Sequence, residues 1–200
     1  MSQSASEIST LVGSRICHDL ISPLGAIANG IELMSMSGLA DSPEIALIAE
    51  SIECANARVR FFRIAYGTTS NEQMIGKAEI VSILTDMSKG ARIQYQWDPV
   101  NDILRQDVRL LFLLIQCLEN AMPYGGTVRV EQTPSGFRLS GYSEKTKLHE
   151  AMWSLLTHPQ KAPDTVAAAE VQFALASSIL ASQDRVLDVT ETHAGLIIRV

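Results

Sequence analysis

The segment Cys17-His18-Asp19-Leu20-Ile21-Ser22-Pro23-Leu24 sets an imidazole, a carboxylate and a hydroxyl close together, groups suited to nucleophilic or acid–base chemistry. At 100° per residue, Ile16, Leu20, Leu24, Ile27, Ile31 and Met34 fall within about 40° of one line, with the three-and-four spacing of a packed helical seam. His18 lies about 160° from that line. The spacing therefore predicts a histidine displayed on the polar side of a helix. Ser22, Gly25 and Asn29 continue its face as a strip of small polar residues. Pro23 costs about 3 kcal/mol in a helix interior, because it cannot donate to the carbonyl of Asp19. A purely structural helix gains nothing from that, so an exposed histidine followed by this proline points to a site. Neutral imidazole, with an unperturbed pKa of about 6.5, is a competent nitrogen nucleophile near neutral pH.

The elements that must position His18 form a hairpin. A first helix is expected from about Ile8 to Ser37, stopped at Gly38. A second opens with Ser42 as N-cap and Pro43 in its first position, and continues to Tyr66 before Gly67. Its positions Ile45, Ile48, Ile52, Ala55, Val59, Phe62 and Tyr66 alternate three and four. Two such broad seams cannot be buried by one hairpin alone, so pairing of two hairpins into a four-helix bundle is expected. Beyond the polar Thr68-Thr69-Ser70-Asn71, helices are predicted over Lys77–Ser88, Asp107–Ala121, Leu148–Thr157 and Val166–Ser182. Strands are predicted over Arg92–Trp97, Thr127–Gln132, Gly136–Leu139, Arg185–Thr190 and Gly195–Val200. Helices on one face of a mixed sheet make an α/β sandwich, so the whole chain reads as α+β.

The run His18, Asp19, Leu20, Ile21, Ser22, Pro23, Leu24 resembles the phosphoacceptor box of the dimerisation and phosphotransfer domain of two-component histidine kinases. Extended to HDLISPLGAIANGIEL, it is similar to the ChpT-type histidine phosphotransferases of bacterial cell-cycle phosphorelays. The resemblance implies residues 1–67 as a dimerising phosphotransfer hairpin, 68–76 as a linker and 77–200 as a degenerate form of the kinase ATP-binding (Bergerat) fold. It implies His18 as phosphoacceptor, Asp19 as the residue orienting the imidazole, and Ser22 in the position tied to phosphatase activity. Arg15, one turn earlier, could neutralise the phosphoryl group. Gly25 and Asn29 would offer the surface on which a receiver domain docks.

The nucleotide-binding half of the resemblance breaks down. Asn120, followed by Gly125-Gly126, is similar to the kinase N-box region, but the Asp-bearing Gly-rich loop is replaced by Ser140-Gly141-Tyr142-Ser143. The 53 residues between Gly141 and Gly195 contain no glycine, and other residues adopt the φ > 0 conformations of phosphate-cradling loops only with difficulty. ATP is not expected to bind productively, and Asn120 reads as a relic or a helix-end cap.

Composition narrows the remaining classes. The net charge of −6 divides equally between residues 1–67 and 68–200, with no basic stripe for nucleic acid. The start Met1-Ser2-Gln3-Ser4 lacks a signal-peptide pattern, and Leu110–Ile115 is too short to span a bilayer. Cys17, Cys54 and Cys117 form no CxxC pair, and His149, His158 and His193 are scattered, so neither a disulfide framework nor a metal site is expected. Taken with the resemblance, which implies the phosphotransferase activity and Mg²⁺ supplied by the partner receiver, the sequence predicts a cytoplasmic, homodimeric histidine phosphotransferase acting without nucleic acid, membrane or cofactor of its own. The resemblance suggests a CckA-like hybrid kinase as donor and CtrA-like or CpdR-like regulators as acceptors. The alternatives are an ATP-dependent sensor histidine kinase and a non-catalytic pseudokinase scaffold that binds receiver domains.

Overall fold

Two long helices open the chain in a computed structural model that describes residues 5–36, 43–68, 72–158 and 166–200; side chains at 5–12, 14, 15, 18, 19, 22, 23 and 35 lie outside that description. The expected stop at Gly38, the N-cap at Ser42 and Thr69-Ser70-Asn71 also lie outside it. Helix α1 (Ala5–Met36) stays helical through Pro23, and α2 (Pro43–Ala65) packs along it. Of the predicted seam of α1, Leu24 and Ile31 are half-buried, and the face turned to α2 also takes in residues outside that seam. Cys17 is buried, and Ala28 and Ile31 line one cavity with Ala49 and Ile52 of α2. Ile16, Leu20 and Ile27 remain 54%, 45% and 49% exposed.

Helix α2 also has two apolar faces. Ile52 and Val59 belong to the predicted seam, whereas Ala57, Phe61, Ile64 and Ala65 join the main core of the chain. Phe61 stacks on Phe112 of α4 (Arg105–Ala121) with centroids 4.2 Å apart and planes 5° from parallel. The run Leu110–Ile115 is apolar all round the helix, and every residue in it is buried, because α2, α6 (Val171–Ser182) and the sheet all pack against α4. The Tyr66 hydroxyl donates to Gln116 Oε1 at 2.8 Å, and burial pushes that phenol up to about 12. Tyr66→Phe is expected to lower stability by about 0.5–1.5 kcal/mol in urea unfolding without changing the m-value.

The sheet is ordered β2-β4-β5-β7-β6, with β2 (Ile93–Trp97) parallel to β4 (Gly126–Thr133). The pairings of β4 with β5 (Gly136–Tyr142), β5 with β7 (Gly195–Arg199) and β7 with β6 (Asp188–Thr192) are antiparallel. Val128, Val130, Leu139, Leu196 and Ile198 point into the core, alternating with Arg129, Glu131, Arg138 and Arg199 on the opposite face. Gly195 opens β7 at φ +136, where an added Cβ would lie 1.9 Å from the Gly141 carbonyl oxygen; only glycine fits that approach. Helices α3 (Lys77–Ser88) and α5 (Glu150–Thr157) complete the α+β layer. A short second sheet pairs β1 (Met74–Ile75) with β3 (Ile103–Leu104). Thus the end of the segment expected as a linker carries a strand.

Candidate functional site

His18 and Asp19 lie on the backbone of α1 in its first half, at the level where the last turns of α2 are braced by α3 and α4. The register of the hairpin fixes that level. An added Cβ at Gly13 would meet Tyr66 Cβ at 3.5 Å, and Ala28 and Ile31 lie beside Ala49 and Ile52. Burial raises the Cys17 thiol pKa, opposed by the positive charge of Arg63 on α2. The side chains of Arg15, His18, Asp19 and Ser22 lie outside the described residues. Gly25 and Asn29 lie within them: nothing stands within 4 Å of a Cβ built on Gly25, and Asn29 is exposed.

The sequence reading did not single out the basic group at the end of α2. Arg105 Nη2 donates to the Arg63 carbonyl at 3.3 Å, and Arg109 Nε donates to the Ala65 carbonyl at 3.2 Å. Two arginines thus satisfy the terminal carbonyls of α2, where a cation is also favoured by the helix dipole. Burial lowers the pKa of both, and each also feels another arginine, Arg63 for Arg105 and Arg105 for Arg109. Arg63 reaches Glu79 of α3 at 3.9 Å, with 43% of its side chain exposed. The apolar seam gave no signal for Arg63, because its level relative to His18 depends on the hairpin register.

The positions matched to nucleotide binding differ in their surroundings: Asn120 is open, whereas Gly141 is closed in by packing. Asn120 is exposed at the end of α4. Its neighbour Glu119 accepts a 2.6 Å hydrogen bond from the Tyr95 hydroxyl, and burial raises its carboxyl pKa. A Cβ at Gly141 would sit 3.1 Å from both Leu118 Cδ2 and Met122 Sδ, so no acidic side chain fits there without displacing them. The segment after β5 closes over α4: Lys147 N–H donates to the Ala121 carbonyl at 2.8 Å, and the Ser143 hydroxyl donates to Gly125 O and Lys145 O. Among the described residues, no helix is long and apolar enough to cross a membrane.

The family model of the histidine phosphotransferase C-terminal domain matches residues 77–195. The curated protein phosphotransferase ChpT of Brucella abortus (strain 2308) is 36% identical over 129 residues, a match covering 64% of this chain. It spans 61% of that relative's length, less than two thirds. A bacterial phosphotransferase structure at 1.7 Å superposes with a TM-score of 0.68 and 27% identity, covering 99% of this chain and 97% of the other. With its C-terminal α+β domain matched by that family model over more than half of the chain's length, the chain belongs to the ChpT-type histidine phosphotransferase family.

Proposed function

We propose that this chain relays a phosphoryl group through His18 between aspartates of two receiver domains. The observation that carries this reading is the seven-residue box His18–Leu24 within the continuous helix α1 of a chain belonging to the phosphotransferase family. A ring nitrogen of neutral His18 attacks the phosphorus of an aspartyl phosphate; the new N–P bond forms as the P–O bond breaks, and the carboxylate leaves with the electron pair. The other ring nitrogen keeps its proton, so the product is a phosphorylated imidazolium and no proton need move. Reversal on a second receiver delivers the group. Positioning and charge neutralisation supply most of the catalysis in such transfers. Mg²⁺ comes with the receiver, Asp19 orients the imidazole, and the acceptor face continues over Ser22, Gly25 and Asn29.

The working unit in this reading is a cytoplasmic homodimer. Ile16, Leu20 and Ile27 of α1 and Ile48 of α2 are each about half exposed in the single chain, and a second copy would bury them in a four-helix bundle. A CckA-like hybrid kinase serves as donor and CtrA-like and CpdR-like regulators as acceptors, in control of the cell cycle. The packed Gly141–Leu118–Met122 contact speaks against the sensor-kinase alternative.

The test is to mix the protein with a receiver domain charged by acetyl phosphate, and separately with labelled ATP and Mg²⁺. An acid-labile, alkali-stable phosphate is expected on the chain from the receiver and none from ATP. Labelling from ATP would revive the kinase reading, and binding of the charged receiver without labelling would favour the scaffold.

A further inference from the structure

A phosphoryl dianion formed on the hairpin needs a cation held at the same level, and the hairpin register identifies one. With Gly13 against Tyr66, and Ala28 and Ile31 beside Ala49 and Ile52, residue 63 of α2 stands level with Ile16 and Cys17, within one turn of His18. It also faces α1. The exposed apolar stripe of α1 passes through Ile16, Leu20 and Ile27, and position 18 lies about 160° from it. On α2, Arg63 lies about 60° to 100° round from Ile48, Ala55 and Phe62, turned toward Glu79 of α3. Residue 18 therefore lies on the side of α1 away from the stripe, and Arg63, at the same angle as Ile45 and about 20° from Ile52, faces α1 beyond the stripe of α2.

The neighbouring arginines are committed elsewhere. Arg105 and Arg109 hold the terminal carbonyls of α2, while the contact of Arg63 with Glu79 at 3.9 Å is longer than a hydrogen bond, and among the described residues its guanidinium makes no shorter side-chain contact. Arg105 also adds positive charge beside it.

We propose that Arg63 is a catalytic residue, the guanidinium that meets the phosphoryl group as it arrives on and leaves His18. This rests on His18 as the phosphoacceptor. It gives the C-terminal domain a part in the chemistry, since α3 and α4 fix the end of the helix from which Arg63 projects.

The experiment compares Arg63→Gln, Arg63→Lys and Arg60→Gln in the full-length protein. Arg60 is the control because it also lies on α2 facing α3, with Nη1 3.5 Å from Ser82 Oγ, and its removal changes the net charge equally. Transfer from an acetyl-phosphate-charged receiver is measured, the phosphorylated residue is mapped by mass spectrometry, and the phosphohistidine ³¹P signal is titrated with pH. Arg63→Gln is expected to slow transfer by about tenfold or more. It is also expected to raise the pKa of the bound phosphoryl group by about one unit, because a cation favours the dianion. Arg63→Lys should restore much of the rate and the titration, and Arg60→Gln should stay within about twofold of wild type. A purely structural Arg63 would leave the phosphorus titration unmoved. If phosphate maps to His18 and Arg63→Gln keeps both the rate and the titration of wild type, this proposal fails while the relay reading stands. If no phosphate maps to His18, both fall.

Discussion

His18→Ala is expected to abolish phosphoryl acceptance from a charged receiver while leaving far-UV circular dichroism and the unfolding midpoint close to wild type. The effect is total because no second group can substitute: the reaction needs an unprotonated nitrogen lone pair on the polar face of α1. His149, paired with Glu170 Oε1 at 2.7 Å, and His158, against Thr157 Oγ1 at 2.9 Å, belong to the other end of the chain. Changing His149, His158 or His193 should leave transfer within a few-fold of wild type. Retained labelling of His18→Ala, read on a gel that preserves acid-labile phosphate, would move the site elsewhere.

The second large effect concerns assembly. Ile27→Asp should convert the protein from dimer to folded monomer, because the new carboxylate would be buried unpaired at the bundle core at a cost of several kcal/mol. Ile27 is chosen over Ile52 for a structural reason. Ile52 is already buried within the hairpin of a single chain, so a charge there would test folding, whereas Ile27 is 49% exposed and its replacement leaves the chain's own core intact. Light scattering at micromolar concentration separates the outcomes: a wild-type protein that is already monomeric, or an Ile27→Asp variant that stays dimeric, contradicts the bundle.

Much of this architecture was legible in the residues. The spacing over Lys77–Ser88 gives α3 with matching ends, and the hairpin of β4 and β5 follows from alternation on either side of Pro134-Ser135. What escaped had physical causes. The strands β1 and β3 have two residues each, too few to show any period. The second face of α2 was hidden because Phe61, Ile64 and Ala65 lie outside the seam that ran through Val59 and Phe62, and their burial depends on α4 arriving from more than 40 residues away. Arg185 reads as the start of a strand by alternation, yet it pairs with Asp107 Oδ1 at 2.7 Å beside a turn in which Asp184 takes φ 52, and β6 begins at Asp188. The box that singles out His18 is local in the sequence, seven residues within one helix. The level of Arg63 is not local, because it is set by how the two helices pair.

Transit of the group from one receiver to another tests the central claim most directly. A receiver charged with acetyl phosphate and freed of excess reagent is mixed with an uncharged second receiver, with and without this protein and with no ATP present, and the phosphate on each species is followed over time. The account predicts that phosphate reaches the second receiver only when the wild-type protein is present, passing through a transient phosphohistidine that His18→Ala does not form. Transfer that proceeds equally well with His18→Ala, or phosphate that never leaves the first receiver for this protein, would contradict it.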